Sequence, residues 1–140
     1  MEFKSILVPV AGTEADDEAI VMACKLAKKT KGKIWSVYVI TVERTLPLEA
    51  EIETEIQKAE GILNHVEEVA EQEDYKVQTD VLQARDAGPA IIDEAIERGA
   101  DLIVLGVRQK KHFGQFSLGD VVPYVLKNAP CRVILYQKNS

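Results

Sequence analysis

The chain has 140 residues, with 17 Lys and Arg against 23 Asp and Glu, a formal net charge of −6. That length suits one domain, residues 1–140, with one core, and the acidic balance disfavours nucleic acid and anionic membrane as partners. No apolar run approaches the roughly 18 residues of a membrane span, and the opening MEFKSILVPV has too short an apolar run for a signal peptide, which points to the cytoplasm.

Phe3 to Val10 contains ILVPV, a nearly continuous apolar run that predicts a strand covered on both faces. Pro9 belongs near its end, because proline cannot donate to a ladder. Ala11-Gly12 makes the turn. Thr13 and Asp16 have capping-box spacing. Ala15, Ala19, Ile20, Ala23, Leu26 and Ala27 recur at helical steps. Lys28, Lys29 and Lys31 suit the last turn, and Gly32 suits the position after it. Lys33 to Thr41 is rich in β-branched and aromatic residues and predicts the second strand.

A connection with Pro47 leads to a long helix from Glu49 to about Glu73. Ile52, Ile56, Ala59, Ile62, Leu63, Val66, Val69 and Ala70 form its buried stripe, and His65 falls off it. Tyr75 to Leu82 alternates polar and apolar residues, as a strand near a sheet edge does. A loop over 84–88 follows, where Arg85 and Asp86 predict a surface ion pair. Pro89 suits a first helical turn, and the helix ends at Gly99.

Leu102 to Leu105 is a second strongly apolar strand, ending at Gly106. A basic loop over 106–118 follows, with Arg108, Gln109, Lys110, Lys111 and His112. Gly119-Asp120 opens a helix over about 121–128, and Cys131 to Tyr136 is the last strand.

The β-α alternation predicts an α/β protein of three layers, a parallel sheet with helices on both faces. The two most apolar strands, 6–10 and 102–105, belong at its centre. Ligands of such sheets bind outside the carboxyl ends of strands where the winding reverses. That places Val10, Ala11 and Gly12 opposite Gly106, with Gly119 closing a crevice that Val39 and Arg108 also border. A strand, a glycine loop and a helix N-terminus form a common phosphate cradle.

Enzyme readings find little support. No Ser-His-Asp or Cys-His arrangement is suggested, and the GxxxxGK[ST] phosphate loop is absent. Cys24 and Cys131 give neither a disulfide framework nor metal spacing, and His65 and His112 are too scattered for zinc. The expectation is a protein that is not an enzyme and has no metal site.

ILVPV followed by Thr13-Glu14, GADLIVLG (99–106) and LGDVVPYVLKNAPC (118–131) resemble the universal stress protein family over essentially the whole chain. The resemblance implies a Rossmann-like fold of the adenine nucleotide alpha hydrolase type, with five parallel strands in the order 3-2-1-4-5. It also implies a homodimer through the last strand, Cys131, Arg132, Val133, Ile134, Leu135 and Tyr136. That strand leaves an apolar sheet edge which pairing would cover.

Nucleotide-binding members carry glycine, two residues, glycine, nine residues, glycine, then Ser or Thr. Gly106 and Gly119 match, Gln109 replaces the middle glycine, Asp120 replaces Ser/Thr, and Ala11 replaces an aspartate. A charge on Asp120 about 4 Å from a phosphate would cost on the order of 4 kcal/mol at an effective dielectric of 20, against about 8 kcal/mol for micromolar binding.

The first reading is therefore a cytoplasmic regulatory dimer with an impaired ATP pocket, acting through partners. One alternative is a sensor of ATP, AMP or another adenine nucleotide that uses the basic segment 108–112. Another is an accessory domain that regulates a membrane transporter without itself entering the membrane. The bland reading of the basic segment, a solvated loop, is favoured over anion binding, and a third has Asp120 pair with Arg108 or a loop lysine.

Overall fold

The computed structural model of the chain describes residues 2–112, 115–117 and 121–139. In chain order the elements are β1 (Ser5–Pro9), α1 (Glu14–Lys28), β2 (Lys33–Thr41), α2 (Glu53–Gln72), β3 (Gln78–Ala84), α3 (Ala87–Glu97), β4 (Leu102–His112), β5 (Gln115–Ser117), α4 (Val121–Asn128) and β6 (Arg132–Asn139).

The parallel strands run β3-β2-β1-β4-β6. In terms of the five strands expected from sequence this is the order 3-2-1-4-5, with β6 as the fifth. β1 and β4 are central, as their apolar runs imply. Ile6, Leu7 and Val8 are fully buried, and so are Leu102, Ile103 and Val104.

Side chains alternate between the two faces with the period of a strand. Ile6, Val8 and Val10 join Leu102 and Val104 against α1 and α2. Leu7, Ile103, Leu105 and Val107 face α3 and α4 on the other side. The predicted α1 stripe is buried except for Leu26, which is half-buried.

Several boundaries differ from expectation, each for a local reason. Lys31, at φ 57, takes the left-handed turn after α1, and Gly32 does not. Tyr75 lies before β3 rather than in it. The left-handed Asp74, at φ 55, ends α2, and the Tyr75 hydroxyl donates to the carbonyl of Gly32. Residues 49–52 precede α2, where the Gln83 side chain holds the carbonyls of Leu48 and Ala50.

The Arg85–Asp86 ion pair does not form. Arg85 donates instead to carbonyls of the 42–46 connection, at 2.8 Å to Leu46. Asp86 lies 3.8 Å from Arg44 at the surface.

The largest departure is the segment read as a basic loop. β4 does not stop at Leu105 but continues to His112. β6 runs beside it to the Gln109–Asn139 pair, and β5 pairs with Lys110, Lys111 and His112 in antiparallel register. A ladder supplied by neighbouring strands holds this polar segment extended although it lacks the apolar alternation of a strand.

Candidate functional site

Where the winding reverses between β1 and β4, their carboxyl ends open into a crevice of about 580 Å3. Val10, Ala11, Val39, Gly106 and Arg108 line it. Gly12 does not: it turns toward α2, on the far side of the β1–α1 loop. Gly119 and Asp120 lie outside the described residues, so a contact between Asp120 and Arg108 does too. Ile91, Val121 and Val122 close the α3–α4 side. The walls are mainly aliphatic, and Arg108 is the one basic side chain among the described lining residues.

The β1–α1 loop is organised by a residue to which sequence reasoning gave no role beyond a helix cap. Asp16 is 4% exposed. Its carboxylate accepts hydrogen bonds from three consecutive backbone N–H groups: Ala11 at 3.2 Å, Gly12 at 2.7 Å and Thr13 at 3.0 Å. Gly12 stands at φ +87, a conformation open to glycine at little cost. It lets the chain fold its donors inward around the carboxylate.

The spacing is that of a capping box, but Thr13 makes no side-chain capping hydrogen bond. Its Oγ1 is buried without a partner. Burial raises the Asp16 carboxyl above its ordinary value, and the three N–H bonds pull it back only in part.

This arrangement changes what the loop can do. Successive inward N–H groups make an anion-binding concavity, and here the chain's own carboxylate fills it. Those donors are spent before any phosphate arrives, and Ala11 offers no side-chain acceptor.

Gly106 has a packing role as well. A Cβ there would stand 2.6 Å from the Ala15 carbonyl carbon and closer still to its oxygen. β4 therefore passes directly against the first turn of α1, and glycine is required there whether or not a ligand binds.

Other predicted polar residues settle away from the crevice. His65 is exposed, as its place off the stripe implies, and its Nε2 lies 3.0 Å from Asp17 Oδ1. That hydrogen bond raises the imidazole above its ordinary value. Cys24 is buried and Cys131 half-buried, both as free thiols, and burial pushes the Cys24 thiol up to about 11. No group of acidic, histidine and cysteine side chains suited to a metal ion occurs among the described residues.

A three-layer α/β sheet with a crevice at its winding reversal defines a Rossmann-like fold. Three comparisons agree with that class. A universal stress protein family model matches residues 2–137. Universal stress protein MJ0531 of Methanocaldococcus jannaschii is 32% identical over 142 residues, covering 97% of this chain and 83% of that protein. A universal stress protein structure from Archaeoglobus fulgidus superposes with a TM-score of 0.80 at 22% identity, covering 94% of this chain and 97% of that one. A universal stress protein structure from the same organism, in complex with dAMP, gives a TM-score of 0.77 at 20% identity over 96% and 98% of the two chains. The chain belongs to the universal stress protein family.

Proposed function

We propose that this protein is a cytoplasmic regulatory member of its family, a homodimer that acts through partners rather than by turnover, with a crevice that binds ATP poorly. The observation that carries this reading is the internal carboxylate of Asp16. It consumes the N–H groups of Ala11, Gly12 and Thr13, while Ala11 lacks the acceptor of nucleotide-binding members. Asp120 and Gln109 add to the obstacle by their chemistry. Two unpaired thiols suit a reducing compartment. Calorimetry on the full chain at physiological salt tests the pocket. ATP should bind with a Kd above about 10 μM, which is weaker than about 7 kcal/mol. A sub-micromolar Kd would overturn the reading.

A second reading is favoured by the crevice itself. Its volume of about 580 Å3 and its aliphatic walls suit a purine ring, and a relative of the same fold was solved with dAMP. An adenine monophosphate, with fewer charges to place than ATP, would meet Arg108 at the mouth. Tighter binding of AMP than of ATP in the same titration supports this reading.

The dimer rests on β6. Among the described residues β6 pairs with β4 alone. Val133 and Leu135 pack on one core and Ile134 on the other, while the other edge of the strand has backbone groups to pair. Antiparallel contact between two copies of β6 gives a two-fold interface. Sedimentation equilibrium should show dimer at tens of micromolar, and Ile134→Lys should shift it toward monomer or aggregate. Wild-type monomer at that concentration refutes the assembly.

A further inference from the structure

The end of β6 brings a second cation to the neighbourhood of the crevice. In the parallel register Arg108 stands opposite Lys138. Neighbouring strands lie about 4.8 Å apart, and side chains in register across a ladder share a face. Arg108 has the parity of Leu102 and Val104, and Lys138 that of Ile134, all of which pack with α1 and α2. The two cations therefore leave the sheet side by side on the α1 face. Arg108 borders the crevice. Gly106, two residues earlier on the same face, abuts the carbonyl of Ala15 in the first turn of α1.

Like charges opposite each other across a ladder are unfavourable. In a chain with 23 acidic residues against 17 basic ones, an opposite charge would be easy to place there. Breaches of a local rule such as this one concentrate at functional places.

One of the two cations is held by the chain itself. Lys138 Nζ lies 3.7 Å from Glu14 Oε2, with the two side chains 38% and 69% exposed. An exposed pair of this kind contributes little and exchanges readily. The other carboxylates of the first turn of α1 are engaged elsewhere, Asp16 by the loop N–H groups and Asp17 by His65. Glu14 thus stands, with a single charge, where an anionic group would meet the pair.

We propose that Arg108 and Lys138 form a two-cation grip for a phosphate group at the crevice mouth, and that Glu14 is the built-in competitor which that group displaces from Lys138. The inference rests on the reading of the crevice as a site for a phosphate-bearing ligand, and it adds a residue of the last strand to that site. A phosphomonoester with two negative charges satisfies both cations, whereas a neutral nucleoside satisfies neither.

The test is a titration of the 15N-labelled full chain at constant ionic strength with inorganic phosphate, AMP and adenosine in turn, read from the amide shifts of Arg108 and Lys138 and from the Arg108 Nε–H. Phosphate and AMP should give saturable shifts at both residues with a Kd of about 10 mM or tighter, and adenosine should shift neither. Lys138→Gln should weaken phosphate and AMP about fivefold, or about 1 kcal/mol, and Lys138→Arg should bind as wild type does. Glu14→Gln should tighten both ligands severalfold. Lys25→Gln and Glu60→Gln make the same charge changes at exposed positions of α1 and α2. Screening should hold their effects below about twofold. If AMP binds no tighter than phosphate while the Lys138 and Glu14 effects persist, the adenine reading falls and the grip stands. The grip is overturned if neither phosphate nor AMP gives saturable shifts at Arg108 and Lys138, in wild type or in Glu14→Gln, up to about 50 mM, well beyond a site of that strength. It is overturned equally if Lys138→Gln or Glu14→Gln behaves like its charge control.

Discussion

Gly106→Ala should lower the stability of the ligand-free protein by about 3 kcal/mol, the upper part of the usual range for overpacking a close contact. The added methyl would meet the Ala15 carbonyl carbon at 2.6 Å and the Asp16 nitrogen at 3.2 Å. Both are backbone atoms, so no rotamer change can relieve the clash. Neither segment is free to retreat. β4 is laddered to β1 and β6, with Gly106 opposite Tyr136. α1 is held by fully buried Ala15 and Ala19 and by the bonds to Asp16. Urea unfolding followed by circular dichroism should show a lower midpoint with an unchanged slope.

The experiment also separates two uses of this glycine. The family pattern associates it with close approach of backbone to nucleotide, which predicts lost affinity and unaltered stability. The contact with Ala15 predicts lost stability with no nucleotide present. An alanine variant within about 0.5 kcal/mol of wild type, the range of an ordinary surface change, would refute the packing account.

The sequence carried the signals that are local. Central strands covered on both faces need continuous apolar runs, so ILVPV and LIVL were readable as β1 and the core of β4. One-sided helices need a stripe, so α1, α2 and α3 were readable too. Where structure depends on a partner segment, local pattern is silent. Arg108 to His112 contain no apolar residue, and they are extended because β5 and β6 lie alongside. Arg85 was free, on sequence grounds, to choose the neighbouring Asp86. It reaches the 42–46 carbonyls because the fold brings them within range.

The winding rule points to the carboxyl ends of β1 and β4, and a cavity lined by Val10, Ala11, Val39 and Arg108 lies there. What sequence could not show was that the loop beside it turns its donors inward. The signal for Asp16 was present in the Thr13–Asp16 spacing and in Gly12. A capping box, however, predicts a carboxylate at the surface of a helix start, not one that is 4% exposed.

Removing that carboxylate should have an effect as large as filling the space at Gly106. Asp16→Ala leaves the N–H groups of Ala11, Gly12 and Thr13 without their acceptor. Loss of a helix N-terminal acceptor costs about 1 kcal/mol, and a stranded buried donor costs about 1–3 kcal/mol. With water reaching part of this loop, a total of about 3 kcal/mol is expected at pH 7. Asp16→Asn should lose less, since its carbonyl oxygen still accepts while its amide group faces the same donors.

The pH dependence has a definite sign. Desolvation raises the Asp16 carboxyl above 3.8, and the backbone bonds offset this only partly. The folded protein therefore takes up a proton at Asp16 at a pH where the unfolded chain has already released its own. Stability from this group is fully present below pH 3.8 and declines as pH rises through the folded value. Linkage then requires wild type to gain on Asp16→Ala as the solution is acidified. Other carboxylates titrate in both proteins and cancel in the difference. Urea midpoints for the two proteins at pH 7 and near pH 4 measure it. A gap that shrinks on acidification would mean that the three N–H bonds outweigh burial, and that the carboxylate is held charged more firmly in the fold than in the unfolded chain.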